Sequence, residues 1–152
     1  MIEIRPDDLS GAPTRALAAA HLAGMHANTP AESVHALDLE ALGGEGVSLF
    51  SAWVDGGIAG IGALSRLSED RAELKSMRVA DAYLGRGIGR AMLHHLVAEA
   101  RARGIRSLWL ETGSTDDFLA ARRLYASEGF VECPAFRPYR PDPLSTFMTR
   151  AL

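Results

Sequence analysis

Two short stretches and two strand-end carboxylates carry the chemistry this sequence offers. The first stretch is Leu84-Gly85-Arg86-Gly87-Ile88-Gly89-Arg90, where a strand-like run gives way to a helical one. The first turn of a helix leaves backbone N–H groups unpaired at a positive dipole end, which suits a phosphate or pyrophosphate. Glycines let the backbone approach such a ligand with no Cβ in the way. Arg86 and Arg90 can add charge-assisted contacts or simply stand in solvent. A Walker A loop needs Gly-Lys-Ser/Thr, and no Lys is present; a dinucleotide GxGxxG fails because its last position falls on Arg90 or Met92. An anion cradle and a ligand-free strand-to-helix turn both remain. The second stretch runs from Ala121 to Phe130, with Tyr125 on a helical segment closed by Gly129. A phenol with a pKa of about 10 can donate a proton to a strongly basic group, although an aromatic residue on a packed helix face needs no such role. Glu73 and Glu111 stand at strand ends, where a carboxylate serves as a base or as a salt-bridged surface group.

These residues need elements to hold them, and hydrophobic periodicity supplies an order. Ile2-Glu3-Ile4-Arg5 alternates up to Pro6 and reads as a short strand. The Ala-rich stretch from Pro13 to Ala27 predicts a helix stopped by Asn28-Thr29-Pro30. A second short helix is expected from Ala31 to Leu42, ended by Gly43-Gly44. Val47 to Val54 and Ile58 to Leu67 are strand-like and flank Asp55-Gly56-Gly57, a hairpin signal. A strand over Glu73 to Val79 leads into the glycine loop. The helix after the loop places Ile88, Met92, Leu93, Leu96, Val97 and Ala100 at three- and four-residue spacing and closes at Gly104. Arg106 to Thr112 reads as a strand and Asp116 to Glu128 as a helix. Phe130 to Cys133 and Thr146 to Leu152 are the last strands, around a Pro- and Arg-rich excursion from Pro134 to Pro143. The order β-α-α-β-β-β-α-β-α-β-β predicts an α+β (mixed α/β) fold. No repeat or linker divides it, so residues 1–152 are read as a single domain.

Met77 through Leu93 resembles the acyl-CoA-binding segment of the GNAT superfamily of N-acetyltransferases. The family signature Gln/Arg-x-x-Gly-x-Gly/Ala maps onto positions 84 to 89, with Gly87 and Gly89 as its small residues and Leu84 in place of Gln or Arg. Ala121, Leu124, Tyr125, Gly129 and Phe130 match the family's other stretch, Asn-x-x-Ala-x-x-Leu-Tyr-x-x-x-Gly-Phe, with Phe118 where Asn is usual. The resemblance covers most of the chain from about Val47 to Phe130. It implies a central, mostly antiparallel twisted sheet with a splayed strand pair and flanking helices. It also implies acetyl-CoA as co-substrate, with the pantetheine arm against the backbone of Met77, Arg78 and Val79. The pyrophosphate would lie on the loop amides, among Leu84, Gly85, Arg86, Gly87, Ile88, Gly89 and Arg90, and Phe118 holds the position that touches pantetheine in relatives. Tyr125 is then the general acid, and Glu73, Glu111 or a water chain is the base; the spacing of Glu73 to the loop needs no gap. Amides around Val79 would meet the oxyanion.

The implied reaction is direct acetyl transfer to the amine of a small molecule in a ternary complex. Family likeness assigns acceptor specificity to residues 25–35 and to Phe136-Arg137-Pro138-Tyr139-Arg140. Arg137 and Arg140 can meet an acceptor carboxylate or stand solvated. A reading from another class stays open: a non-catalytic acyl-CoA-binding regulatory module, in keeping with the departures at Leu84 and Phe118. Composition narrows the rest. Apolar residues make up 47% and charged residues 23%, as in globular domains. Sixteen Lys plus Arg against nineteen Asp plus Glu give a net charge of −3, so no basic field draws the chain to nucleic acid or membrane. The lone Cys133 makes no internal disulfide, and the five histidines have no metal-ligand spacing, so no metal is expected. The first residues lack the order of a signal peptide, and a cytoplasmic monomer or homodimer is expected.

Overall fold

The strand-forming runs pair into one sheet. The computed structural model describes residues 1–30 and 39–152, and among them the strands lie in the order β1-β2-β3-β4-β5-β7-β6. These are β1 (Ile2–Pro6), β2 (Val47–Val54), β3 (Gly57–Arg66), β4 (Arg71–Val79), β5 (Ser107–Gly113), β6 (Val131–Cys133) and β7 (Ser145–Ala151). Neighbours run antiparallel except β4 and β5, which are parallel. The β2–β3 hairpin turns on Asp55 and Gly56, both at positive φ (49° and 82°), the conformation that matches the right-handed twist of the strands.

Alternation along β2 and β3 sends side chains to two cores. Leu49, Ile61 and Ala63 meet Leu17 and Ala18 of α1 (Ala12–Asn28) and Leu42 of α2 (Leu39–Leu42). Phe50, Ala52 and Leu64 meet the apolar stripe of α3 (Ile88–Ala102), with Tyr125 of α4 (Leu119–Ser127) in the same cluster. The sheet is therefore covered on both faces, as the 3.6-residue spacing of the Ile88 helix requires. His95 of α3 is half-buried on the flank of this helix, its ring packed edge-on against Phe50 with centroids 4.8 Å apart.

Two expected helices differ in how they stand. Of the helix expected from Ala31 to Leu42, Leu39–Leu42 is helical, and 31–38 lie outside the described residues. The helix expected from Asp116 starts instead as a 3-10 turn over Asp116–Phe118 before α4 begins at Leu119, a common way for a helix start to tighten.

One irregularity shapes the site. β4 and β5 pair only from Arg71↔Ser107 to Leu74↔Leu110. Beyond that point β4 continues along β3 and β5 continues along β7, so the two strands part. On its other edge β4 bulges: Ile61 pairs with Arg78 and Ala63 with Lys75, leaving Gly62 opposite both Ser76 and Met77. Ser76 takes a left-handed φ of 55° there. Gly62 is needed because a Cβ would sit 2.8 Å from both Met77 Sδ and Met92 Cγ.

Candidate active site

The glycine loop ends at the start of α3. Gly85 and Gly87 have φ of 75° and 78°, and a Cβ on either would meet nothing within 4 Å, so the backbone conformation and not packing demands glycine. Gly89 differs: its absent Cβ would lie 3.4 Å from Leu124 of α4. The first backbone bond of α3 runs from Ala91 N–H to Gly87 C=O, and no acidic side chain stands in the first turn. The amides of Ile88, Gly89 and Arg90 are thus left for an outside acceptor at the positive helix end.

A cleft of about 580 Å³ opens over these amides and the outer half of β4. Met77, Arg78, Val79, Leu84, Gly85, Gly87, Ile88, Gly89 and Arg90 all line it, whereas Arg86 and Phe118 do not. The Arg86 guanidinium lies 5.4 Å from the ring centre of Tyr83. Arg90 is drawn sideways, bonding Ser127 Oγ at 3.1 Å and the Glu128 carboxylate, which also meets His94 Nε2 at 2.9 Å. His94 and then Arg90 hold the Glu128 carboxyl below its usual range.

A second cavity of about 100 Å³ lies where β4 and β5 part. α1 contributes His21 and Met25, β4 contributes Glu73, Lys75 and Ser76, and β5 contributes Glu111 and Thr112. Phe118 and Tyr125 close one side, and Tyr139 reaches in from the β6–β7 connection. Phe118 packs so tightly on Gly113 that a Cβ there would fall 2.0 Å from its ring. The cleft and the cavity share Met77, Ala121 and Tyr125, so Tyr125 stands at their junction. Burial pushes its phenol above the usual range.

The structure brings Glu73 and Glu111 into one cavity but treats them differently. Glu73 is 3% exposed; its Oε2 lies 3.3 Å from Lys75 Nζ and accepts a hydrogen bond from the Tyr139 hydroxyl. Tyr139 is held by a ring cluster, with Phe136 centroids 5.2 Å from Tyr139, 5.4 Å from Trp109 and 5.7 Å from Phe147. Burial and then the Glu73 charge raise the Tyr139 pKa. The Glu111 carboxyl is pushed up to about 6, chiefly by burial and further by Glu73 and Asp142, against Ser145 and Lys75, which pull it down. His21 is pushed down to about 4 by burial and by the nearby Arg78 charge.

Lys75 and His21 are site residues that motif reading passed over, whereas Tyr139 lies in the stretch to which family likeness assigns acceptor specificity. Lys75 carries a weak signal, since it stands two positions from Glu73 and so on the same strand face. The pairing of Tyr139 with Glu73, 66 residues away, has no such local signal. Arg137 and Arg140 are exposed and do not line the cavity.

The model of the acetyltransferase (GNAT) family matches residues 16–130. The uncharacterized N-acetyltransferase YsnE of Bacillus subtilis (strain 168) is 43% identical over 99% of this chain and 100% of its own. The uncharacterized N-acetyltransferase YedL of Escherichia coli (strain K12) is 42% identical over 100% of this chain and 96% of its own. Among solved structures, a candidate acyl-CoA N-acyltransferase from Klebsiella pneumoniae superposes with a TM-score of 0.81 at 31% identity, over 100% of this chain and 98% of that one. Likeness from end to end settles the family: the chain belongs to the GNAT acetyltransferases, and its activity is acetyl transfer.

Proposed function

We propose that the protein moves the acetyl group of acetyl-CoA to the amine of a small molecule by direct transfer in a ternary complex. The observation that carries this reading is the junction: an anion-suited cleft and a carboxylate-lined cavity meet at Met77, Ala121 and Tyr125. Two reactants entering from opposite sides can touch there without a covalent enzyme intermediate. The fit to acetyl-CoA rests on the free amides of Ile88, Gly89 and Arg90 and on the cleft volume. When bound, acetyl-CoA supplies the thioester.

Glu111 is the base in this reading. A carboxylate with a pKa of about 6 is mostly ionised at neutral pH, yet basic enough to take a proton from an ammonium group. Spacing to the loop favours Glu73, but the geometry favours Glu111, because Lys75 and Tyr139 both bond Glu73 Oε2. The acceptor gives one proton to Glu111, and its nitrogen forms the new C–N bond as the C–S bond breaks. The leaving thiolate takes the proton of Tyr125, and the second nitrogen proton restores that phenol. Burial raises the Tyr125 pKa and raises that of a thiolate born beside it in the same way, so the pair stays matched.

Backbone geometry supports an oxyanion donor. Ala80 N–H bonds the Ala59 carbonyl of β3 at 2.8 Å. Successive N–H groups alternate edges along a strand, which turns the Val79 N–H toward the gap left by β5. Cys133 lines neither space, and burial raises its pKa, which argues against a thiol relay.

The test is a thermal shift with acetyl-CoA against ATP and NAD, followed by an amine panel read by released CoA thiol. Ligand at a hundred times its dissociation constant stabilises by about 2.7 kcal/mol. No shift with CoA compounds, or parallel initial-velocity lines indicating a ping-pong route, would overturn the reading.

A further inference from the structure

The charges of the acceptor cavity restrict what else an acceptor can carry besides its amine. Lys75 is the single Lys or Arg lining the cavity among the described residues, and residues 31–38 contain neither Lys nor Arg. Its ammonium is already matched: it stands 3.3 Å from Glu73 Oε2 and bonds the Tyr139 hydroxyl, with its side chain 11% exposed. Glu111 adds a second carboxylate to the same walls, and Asp142 lies close enough to repel its charge. His21 offers no positive charge at neutral pH, since burial and Arg78 keep its imidazole neutral. The remaining polar lining groups, from Ser76, Thr112 and Tyr139, carry no charge. A cavity of about 100 Å³ seats only a few atoms, so any group within a bond or two of the amine shares this environment.

We propose that the acceptor is an amine whose neighbouring group is uncharged (an amide, ester, hydroxyl or alkyl group), and that Glu73 sets this specificity by occupying Lys75. This rests on the reading of the cavity as the amine site. A carboxylate beside the amine meets Glu111 and Glu73 at close range with no unmatched cation in the cavity lining among the described residues, Arg78 lining the neighbouring cleft instead, and like-charge juxtaposition of this kind is strongly unfavourable. Glu73 acts here through Lys75, as a specificity-determining residue distinct from the base.

The experiment compares glycinamide with glycine and alaninamide with alanine, at equal free-amine concentration, by CoA-thiol release. The wild type is expected to favour each amide over its acid by at least about tenfold in kcat/KM. Glu73→Gln removes the charge that matches Lys75 and is expected to narrow that preference at least about fivefold, mainly through KM for the acids. Adding Lys75→Met to Glu73→Gln should restore the preference. Each variant is first checked for an unchanged acetyl-CoA thermal shift. If Glu73→Gln does not fold, Lys75→Met alone decides: it should leave the amide preference in place, and loss of that preference overturns the proposal. Equal rates on acid and amide by the wild type, or an unchanged preference in folded Glu73→Gln, overturn it as well. Failure to acetylate any of the four amines refutes instead the small-amine reading on which the proposal rests.

Discussion

Replacing Glu111 by Gln tests the proposed base in two independent ways. The folded chain holds this carboxyl at about 6 against a reference of 4.5, chiefly through burial. A carboxyl whose folded pKa is raised binds its proton more tightly in the native state than in the unfolded one. Its ionisation therefore costs nothing below about pH 4.5, and the full cost is present above about pH 6. At about 1.36 kcal/mol per unit, that cost reaches about 2 kcal/mol. The neutral amide of Glu111→Gln escapes it, so the variant should be more stable than the wild type at pH 7.5. For a domain of this length the gain in Tm is about 4–8 °C, closing toward zero near pH 4.5. Activity should move the opposite way, falling by about 10²–10⁴ at pH 7.5 if Glu111 takes the proton. The ratio of wild-type to variant kcat/KM cancels the ionisation of the acceptor amine itself. That ratio should be flat above neutrality and fall about tenfold per unit below pH 6. Differential scanning across pH and initial rates with one fixed amine supply both readouts. A variant that is less stable at every pH, or one that turns over at the wild-type rate, would refute the reasoning.

Other substitutions separate the remaining roles. Tyr125→Phe should lower kcat by at least about tenfold while leaving the acetyl-CoA thermal shift in place; a normal kcat removes the phenol as general acid. Lys75→Met removes a cation that lowers the Glu111 pKa, so the acid limb of kcat/KM should move to higher pH, and an unmoved limb dissociates the two groups. Gly62→Ala puts a Cβ 2.8 Å from Met77 Sδ and Met92 Cγ, and chemical denaturation should show a loss of about 1–3 kcal/mol.

Much of this molecule is legible residue by residue. The hairpin at Asp55-Gly56, the apolar stripe from Ile88 to Ala100, and the closures at Gly104 and Gly129 are local events. Each depends on side-chain period or on a positive φ within a few residues. The amides at the start of α3 belong to the same class, since they follow from where a helix begins. The bulge at Ser76 and Met77 does not, because it is defined by what β3 places opposite, and Gly62 has meaning only beside Met92.

The sequence alone determined the order of elements, the glycine loop and the aromatic helix, because backbone conformation and hydrophobic period are short-range properties of a chain. Only the tertiary structure decided which of two similar carboxylates is tied up. Tyr139 comes to Glu73 from 66 residues away, and Arg90 is taken from the loop by Glu128 from 38 residues away. It also decided that Phe118 lines the cavity between β4 and β5 and that Arg137 and Arg140 do not. The reason is physical. Burial and Coulomb forces act through space, so the pKa of Glu111 and the charge left at Lys75 depend on neighbours that the chain order keeps apart.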